Sequence, residues 1–375
     1  MSPLNILIDA RSTTVDGSIR SVRGLVYGLL QLPPEESLKL TLVVAPGQKY
    51  FSERRHPISL VTARKDPQSP AGARELAHIA ARLSPDVIHM TSQATCPRAN
   101  VPVVMTVLGL APLVMGAAPS AQRREMARAV KRSQLLIAPS RRAAEDLVRL
   151  YPAAAGKLHV VPESADDFIS GEKQLMPELI YRLPPTQFFL AMGNSAAHKN
   201  LPTLLRAFER FYDQASALPG FDPLACPRLL LVGRNQPGYL ESLMADGPAR
   251  ELVCFTGRVT DEELRWLYAH ALAFVIASRY EGFSRSALEA AGFAAPVLAA
   301  YASSLPEVLG ENEAAGATYF DVDDVDGLAE LLLHIARDQS FVDTLAAAAY
   351  RRAQLFSWQA TARATLALYW EIAGA

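Results

Sequence analysis

Cysteine is close to missing from this chain: Cys96, Cys226 and Cys254 stand far apart, without metal-ligand spacing. So small and odd a count argues against a disulfide framework or a zinc site, and it fits a reducing compartment such as the cytoplasm. Long apolar runs are missing as well. The richest stretch, 287–298, is interrupted by Glu289, Gly292 and Pro296, so no membrane-spanning helix is predicted. The first apolar stretch carries Asn5 and Asp9 and has no basic flank, unlike a signal peptide. There is no complete P-loop glycine pattern, no serine-hydrolase elbow and no short-period repeat. Basic residues are not interleaved with aromatics, which argues against a nucleic-acid partner.

What is there is an ordinary globular composition. Of 375 residues, 50% are hydrophobic and 20% charged, which is long for one core and comfortable for two. The net charge of −1 hides a split: residues 1–180 carry +6 and residues 181–375 carry −7. Different partners for the two halves follow from that split. A local excess of Arg123, Arg124, Arg128, Lys131, Arg132, Arg141, Arg142 and Arg149 suits anionic lipid headgroups or an acceptor phosphate; the plain alternative is a solvated helix face.

Short apolar runs at 4–9, 40–44, 86–89, 101–106, 135–139 and 158–161 alternate with helical periodicities at 19–30, 71–83, 121–131 and 141–150. Ser140 is placed to cap the last of these helices. The alternation then restarts, with strands at 188–192, 228–232, 252–255, 273–277, 296–299 and 317–320 and helices at 200–215, 260–270, 286–292 and 325–337. Thr260 and Glu263 have capping-box spacing. This alternation predicts crossover units and parallel sheets: an α/β protein of two doubly wound halves with a ligand cleft. Gly171, Pro177, Pro184 and Pro185 cluster with charge at 166–185 and mark the boundary. The domains are therefore 1–175 and 182–355, with a final segment at 356–375.

The strongest constellation is Arg279-Tyr280-Glu281-Gly282-Phe283-Ser284-Arg285-Ser286-Ala287-Leu288-Glu289, directly after an apolar strand. In an open parallel sheet, ligands sit outside the carboxyl ends of the strands. Gly282 permits close backbone approach. The helix that follows from about Ser284 offers free N–H groups and a dipole to a phosphate. Glu281 and Glu289 are suited to accept paired hydrogen bonds from a sugar or ribose diol. A second constellation, Gly193-Asn194-Ser195-Ala196-Ala197-His198-Lys199-Asn200, also joins strand to helix, and Lys199 is a compact cation for a diphosphate leaving group. A third pairs Gly233 and Arg234 with Gly257, Arg258 and Val259, strand ends where a base or ribose can lie against backbone. In the first half, Asp16-Gly17-Ser18 is half of a phosphate loop.

At these residues the chain resembles the family-4 retaining glycosyltransferases of the GT-B fold. Further matches are Asp9-Ala10-Arg11, Val160-Val161-Pro162, Phe255-Thr256-Gly257-Arg258-Val259-Thr260-Asp261-Glu262-Glu263-Leu264, Ser304-Leu305-Pro306-Glu307-Val308 and Phe356-Ser357-Trp358. Glu281 and Glu289 stand at the family's Glu-x7-Glu spacing. The resemblance implies two Rossmann-like domains closing over a nucleotide sugar held mainly by the C-terminal one. It implies that Glu289 binds ribose and Glu281 holds hydroxyls of the donor sugar. Backbone amides at Gly282, Phe283 and Ser284 would contact sugar and phosphate, and Lys199 would stabilise the departing diphosphate. It also implies metal-independent transfer with retention, no cofactor beyond the nucleotide-diphosphate sugar donor, and a last helix at 358–372 crossing back to the N-terminal, acceptor-binding domain.

Three departures stand against this. Relatives carry a His-Asp pair where Val107-Leu108-Gly109-Leu110 stands, an arginine shortly before the lysine, and Asn-Gly where Glu163-Ser164 stands. Arg234, Arg20 or His89 are the candidates to replace the missing cations. The expectation is a hexosyltransferase, with mannose or rhamnose slightly favoured by His198-Lys199-Asn200, acting on a cytoplasmic glycan or lipid-linked acceptor in cell-envelope polysaccharide synthesis. The N-terminal domain is expected to rest on the inner face of the membrane. The alternatives are a non-catalytic partner subunit of the same fold and an enzyme resembling a sugar-nucleotide epimerase.

Overall fold

A computed structural model describes residues 3–11, 18–33, 38–48, 58–91, 96–184, 187–193, 195–234, 236 and 238–374. The chain divides into two compact units. One is Met1–Ser164 together with Ser357–Ala375, and the other is Ala165–Phe356.

The first unit is built on β1 (Leu4–Asp9), β2 (Leu38–Val44), β3 (Ile58–Thr62), β4 (Val87–Met90), β5 (Val103–Thr106), β6 (Leu135–Ala138) and β7 (Leu158–Val160). They form one parallel sheet in the order β3-β2-β1-β4-β5-β6-β7. The second unit has β8 (Phe188–Met192), β9 (Arg228–Val232), β10 (Val253–Gly257), β11 (Ala273–Ile276), β12 (Val297–Ala300) and β13 (Thr318–Phe320). Its parallel sheet runs β10-β9-β8-β11-β12-β13. Both sheets follow one doubly wound scheme, in which the strand order reverses beside the first strand. The reversal lies between β1 and β4 in one unit and between β8 and β11 in the other.

Central strands covered on both faces have no polar side to show, and β4, β6, β11 and β12 are buried throughout. β3 escapes the sequence reading because it is an edge strand: Leu60 is exposed and no residue of β3 is buried. The helix Gln339–Ala353 escapes it too, because its Ala346–Ala349 run blurs the apolar stripe that periodicity detects. Its Asp338 cap is clear once seen, accepting from Phe341 N at 2.9 Å. The caps read from sequence form as chemistry dictates: Ser140 Oγ accepts from Ala143 N at 3.0 Å, and Thr260 and Glu263 exchange both bonds of a capping box.

The boundary falls earlier than the Pro- and Gly-rich stretch at 166–185 suggests. The second unit begins at Ala165 because the following residues are pinned to it. Phe168 meets Tyr268 and Phe293 edge-on, with ring centroids 6.1 and 6.0 Å apart. Arg265 donates to the carbonyls of Phe168 (2.9 Å) and Lys173 (3.2 Å), and Leu175 N donates to Glu262 O (3.1 Å). In the first unit, the helix Trp358–Ala373 packs on the helix Ser18–Leu30. Gly24 and Gly28 make that approach close: a Cβ on Gly24 would stand 1.9 Å from the Trp358 ring, and one on Gly28 would stand 2.1 Å from Trp358 O.

Candidate functional site

The carboxyl ends of β8 and β11 lie side by side at the reversal of the second sheet, the place where open α/β sheets bind ligands. After β8 the chain turns through the short 3-10 segment Ala197–Lys199 and reaches Asn200 in the left-handed region at φ 53. Asparagine tolerates that conformation. Here its side chain is also held, donating to Val322 O at 2.8 Å and accepting from Thr203 Oγ1 at 3.0 Å. After β11, Arg279 N donates to His198 O at 2.8 Å, which ties the two loops together.

That tie sets the central pair. Lys199 Nζ donates to Glu281 Oε1 at 2.7 Å, and Ser278 Oγ donates to the same oxygen at 2.7 Å. The two charged side chains are 17% and 12% exposed, so they are largely withdrawn from water yet reachable. Ser303 and Ser304, beyond β12, each donate a hydroxyl to Glu281 O at 2.8 Å. The backbone of Glu281 is thereby clamped while its second carboxylate oxygen stays available for hydroxyl donors. Lys199, Ser278 and Ser286 line one small pocket with Met192. Burial and the adjacent Lys199 charge hold the His198 imidazole below its ordinary range against the smaller pull of Glu281, so this ring is neutral near pH 7.

Next to this pair begins the helix Arg285–Gly292. Its first N–H groups have no partner within the helix and carry the positive end of its dipole. Ser284, the residue before it, sits at φ 71 and is 6% exposed; its Oγ is buried without a hydrogen-bond partner. A serine held left-handed, with its hydroxyl unsatisfied, is strain retained at a helix N-terminus. It is a polar atom waiting for an acceptor beside amides that favour anions. Phe283 is buried against Phe356 with centroids 5.7 Å apart, which fixes the loop from its apolar side.

Glu289 receives different partners from Glu281. It is 2% exposed, accepts from Tyr268 Oη at 3.2 Å, and lies 3.5 Å from the Arg285 guanidinium. Gly233 and Gly257 have a structural task as well: they exchange backbone bonds of 3.1 and 3.0 Å at φ 140 and φ 74. Arg234 and Arg258 are exposed and form no ion pair among the described residues, whereas Val259 packs against the core. Gly17 and Asn194 lie outside the described residues. Sequence reading had no signal for Ser278 or Ser303, because a single serine carries no pattern; Ser304 stands in a stretch that carries the resemblance, but with no role assigned to it.

In the first unit, Asp9 and Arg11 form a buried bidentate pair at 2.8 Å on each arm. His89 is not the replacement cation the sequence offers. It is enclosed between Tyr369 Oη (2.5 Å) and Thr106 Oγ1 (2.7 Å), and burial lowers its pKa to about 3, so the ring is neutral at physiological pH. Glu163, nearly buried, lines a pocket of this unit with His89, Thr106 and Thr361.

Residues 182–352 match the family described as Glycosyl transferases group 1, and residues 37–167 match Glycosyltransferase Family 4. Among curated proteins the chain is similar to O-antigen chain mannosyltransferase B of Escherichia coli, 30% identical over 241 residues, or 63% of this chain. The match spans 60% of that protein's length. Among solved structures it is similar to sucrose-phosphate synthase from Thermosynechococcus elongatus, with TM-score 0.73, 19% identity and coverage of 98% and 99% of the two chains. It is also similar to the Anabaena protein HepE in complex with UDP-glucose, with TM-score 0.66, 17% identity and coverage of 98% and 99%. At these identities the structural likeness is one of fold.

Proposed function

Since both its halves match glycosyltransferase families, the chain belongs to the family-4 glycosyltransferases of the GT-B fold, and we propose that it moves a hexose from a nucleoside-diphosphate sugar to a glycan or lipid-linked acceptor with retention of configuration. The observation that carries this reading is the Lys199–Glu281 pair at the ends of β8 and β11, beside the unpartnered Ser284 hydroxyl. Lys199 stabilises the negative charge that grows on the leaving diphosphate. The amides after Gly282 and the helix dipole share that task. Glu281 receives hydroxyls of the donor sugar and Glu289 those of the ribose. In this reading the protein's own cations and dipoles do the work, without a metal. The name of the E. coli relative supports mannose as the sugar and cell-envelope polysaccharide as the product.

On the acceptor side, the reading assigns the first unit, whose pocket is lined by Glu163, Thr106 and Thr361. The exposed Arg124, Arg128, Lys131, Arg141 and Arg142 support contact with an anionic membrane surface from the cytoplasmic side. No helix among the described residues is long and apolar enough to cross a membrane.

The test is a panel of nucleotide sugars presented to the full chain, with binding followed by calorimetry and nucleoside-diphosphate release followed enzymatically. GDP-mannose is the expected best donor. If no nucleotide sugar binds at millimolar concentration, the reading fails. A second reading, a non-catalytic partner of the same fold, draws on Lys199 being already paired with Glu281 and on the neutral state of His89. Donor binding without hydrolysis or transfer over a range of acceptors would favour it.

A further inference from the structure

The Lys199–Glu281 pair leaves a second buried charge cluster unexplained. Arg285 occupies the first position of the helix Arg285–Gly292, where the dipole disfavours a cation, and its side chain is only 9% exposed. A buried guanidinium persists only where anions compensate it. Two do: Glu289 Oε1 at 3.5 Å, one turn along the same helix, and Asp167 Oδ1 at 4.0 Å in the short helix Asp166–Ile169. From the other side Tyr268 Oη reaches Glu289 Oε2 at 3.2 Å. Tyr268 is itself fixed among Phe168, Phe274 and Phe293, with centroids 6.1, 5.5 and 6.4 Å away. Glu289 thus stands between a buried guanidinium and a hydroxyl whose ring is packed among three others.

The helix of this cluster also reaches the pocket of the Lys199–Glu281 pair. Ser286 lines that pocket, and Glu289 lies three residues further on the same helix face. We propose that Arg285 and Tyr268 are positioning residues for donor recognition: they hold the Glu289 carboxylate in one rotamer, so that it accepts the hydroxyls of the donor's ribose. A carboxylate has about four acceptor positions, and Tyr268 takes one of them. Arg285, itself 4.0 Å from Asp167, places a cation beside the same carboxylate. The inference rests on the reading of Glu289 as the ribose acceptor.

The experiment uses the full chain and whichever of UDP, GDP or ADP it binds best, compared with the 2′-deoxy form of the same nucleotide by calorimetry. Wild type is expected to prefer the ribonucleotide by about tenfold or more, the scale of one charged hydrogen bond. Arg285→Gln and Tyr268→Phe should each weaken ribonucleotide binding and bring the ratio towards one, with 2′-deoxy binding within about twofold of wild type. Arg285→Lys should restore part of the ratio. Variants that keep the full ratio, or that lose both nucleotides equally, overturn the proposal. A wild type that binds nucleotide without ribose preference overturns it too, while leaving the donor reading standing. Failure to bind any of the three nucleotides would instead sink the donor reading itself.

Discussion

Lys199 and Glu281, 82 residues apart, meet at 2.7 Å where the order of the second sheet reverses. Each has a second tie to the frame: the turn of Lys199 is bonded to Arg279 through His198, and the backbone of Glu281 is clamped by Ser303 and Ser304. A pair fixed at both ends spends little entropy when it meets a ligand, which is what a site preorganised for charge requires.

Replacing Lys199 by methionine should lower turnover about 100-fold or more, the scale of losing one preorganised electrostatic contact. The fold should survive, because Ser278 still donates to Glu281. Initial rates with the best donor, alongside a thermal melt, decide the matter. Rates within about threefold of wild type would remove Lys199 from the chemistry.

Ser284 holds φ 71, which costs a non-glycine residue about 1 kcal/mol. Ser284→Gly should relieve that strain and raise the melting temperature by about 2–4 °C, and Ser284→Val should lower it. The same glycine variant should bind nucleotide more weakly, through loss of the hydroxyl. A stabilised variant with unchanged nucleotide affinity would mean that the Ser284 hydroxyl has no ligand.

His89 makes stability fall in acid. Its pKa drops from 6.5 to about 3 in the folded chain, so below 6.5 the unfolded chain takes up a proton that the folded chain refuses. Stability is therefore complete above about pH 6.5 and declines as pH falls towards 3, by about 2 kcal/mol at pH 5. In urea titrations at pH 7 and pH 5, His89→Gln should show a decline smaller by about that amount. An equal decline in wild type and variant would assign the acid sensitivity elsewhere.

Gly28→Ala should destabilise the first unit by about 1–3 kcal/mol, because the new methyl meets the Trp358 carbonyl at 2.1 Å and backbone must shift. Gly109, where an added Cβ would meet nothing within 4 Å, is the control, and its alanine variant should unfold with wild type. Chemical denaturation of both variants reads this directly.

Anionic vesicles should sediment the protein at low salt and release it above about 0.5 M, as screening shortens the reach of surface charge. Arg124→Glu with Arg128→Glu should abolish the effect without touching nucleotide binding. Retention of the doubly substituted chain would place any membrane contact elsewhere.

The residues differ in how readable they were. Arg141–Leu150 and Val325–Arg337 end where periodicity and capping say they should, because both signals are local. β3 was not readable: a half-exposed edge strand has neither a continuous apolar run nor a clean alternation. The unit boundary at Ala165 was hidden because breaker residues report local backbone freedom, whereas Phe168 and Leu175 are held by partners far along the chain, Tyr268 and Glu262.

By itself the sequence determined the strand and helix periods, the capped helix starts, and the residue types after β8 and β11 that suit a nucleotide sugar. All of these depend on neighbours within a few residues. Only the tertiary structure decided which of those residues share a partner. Sheet order brings Lys199 to Glu281, sends Glu289 to Tyr268 and Arg285, and encloses His89 as a neutral ring. Charge, burial and hydrogen bonding act through space over a few ångströms, and that distance has no counterpart along the chain until the sheets are assembled.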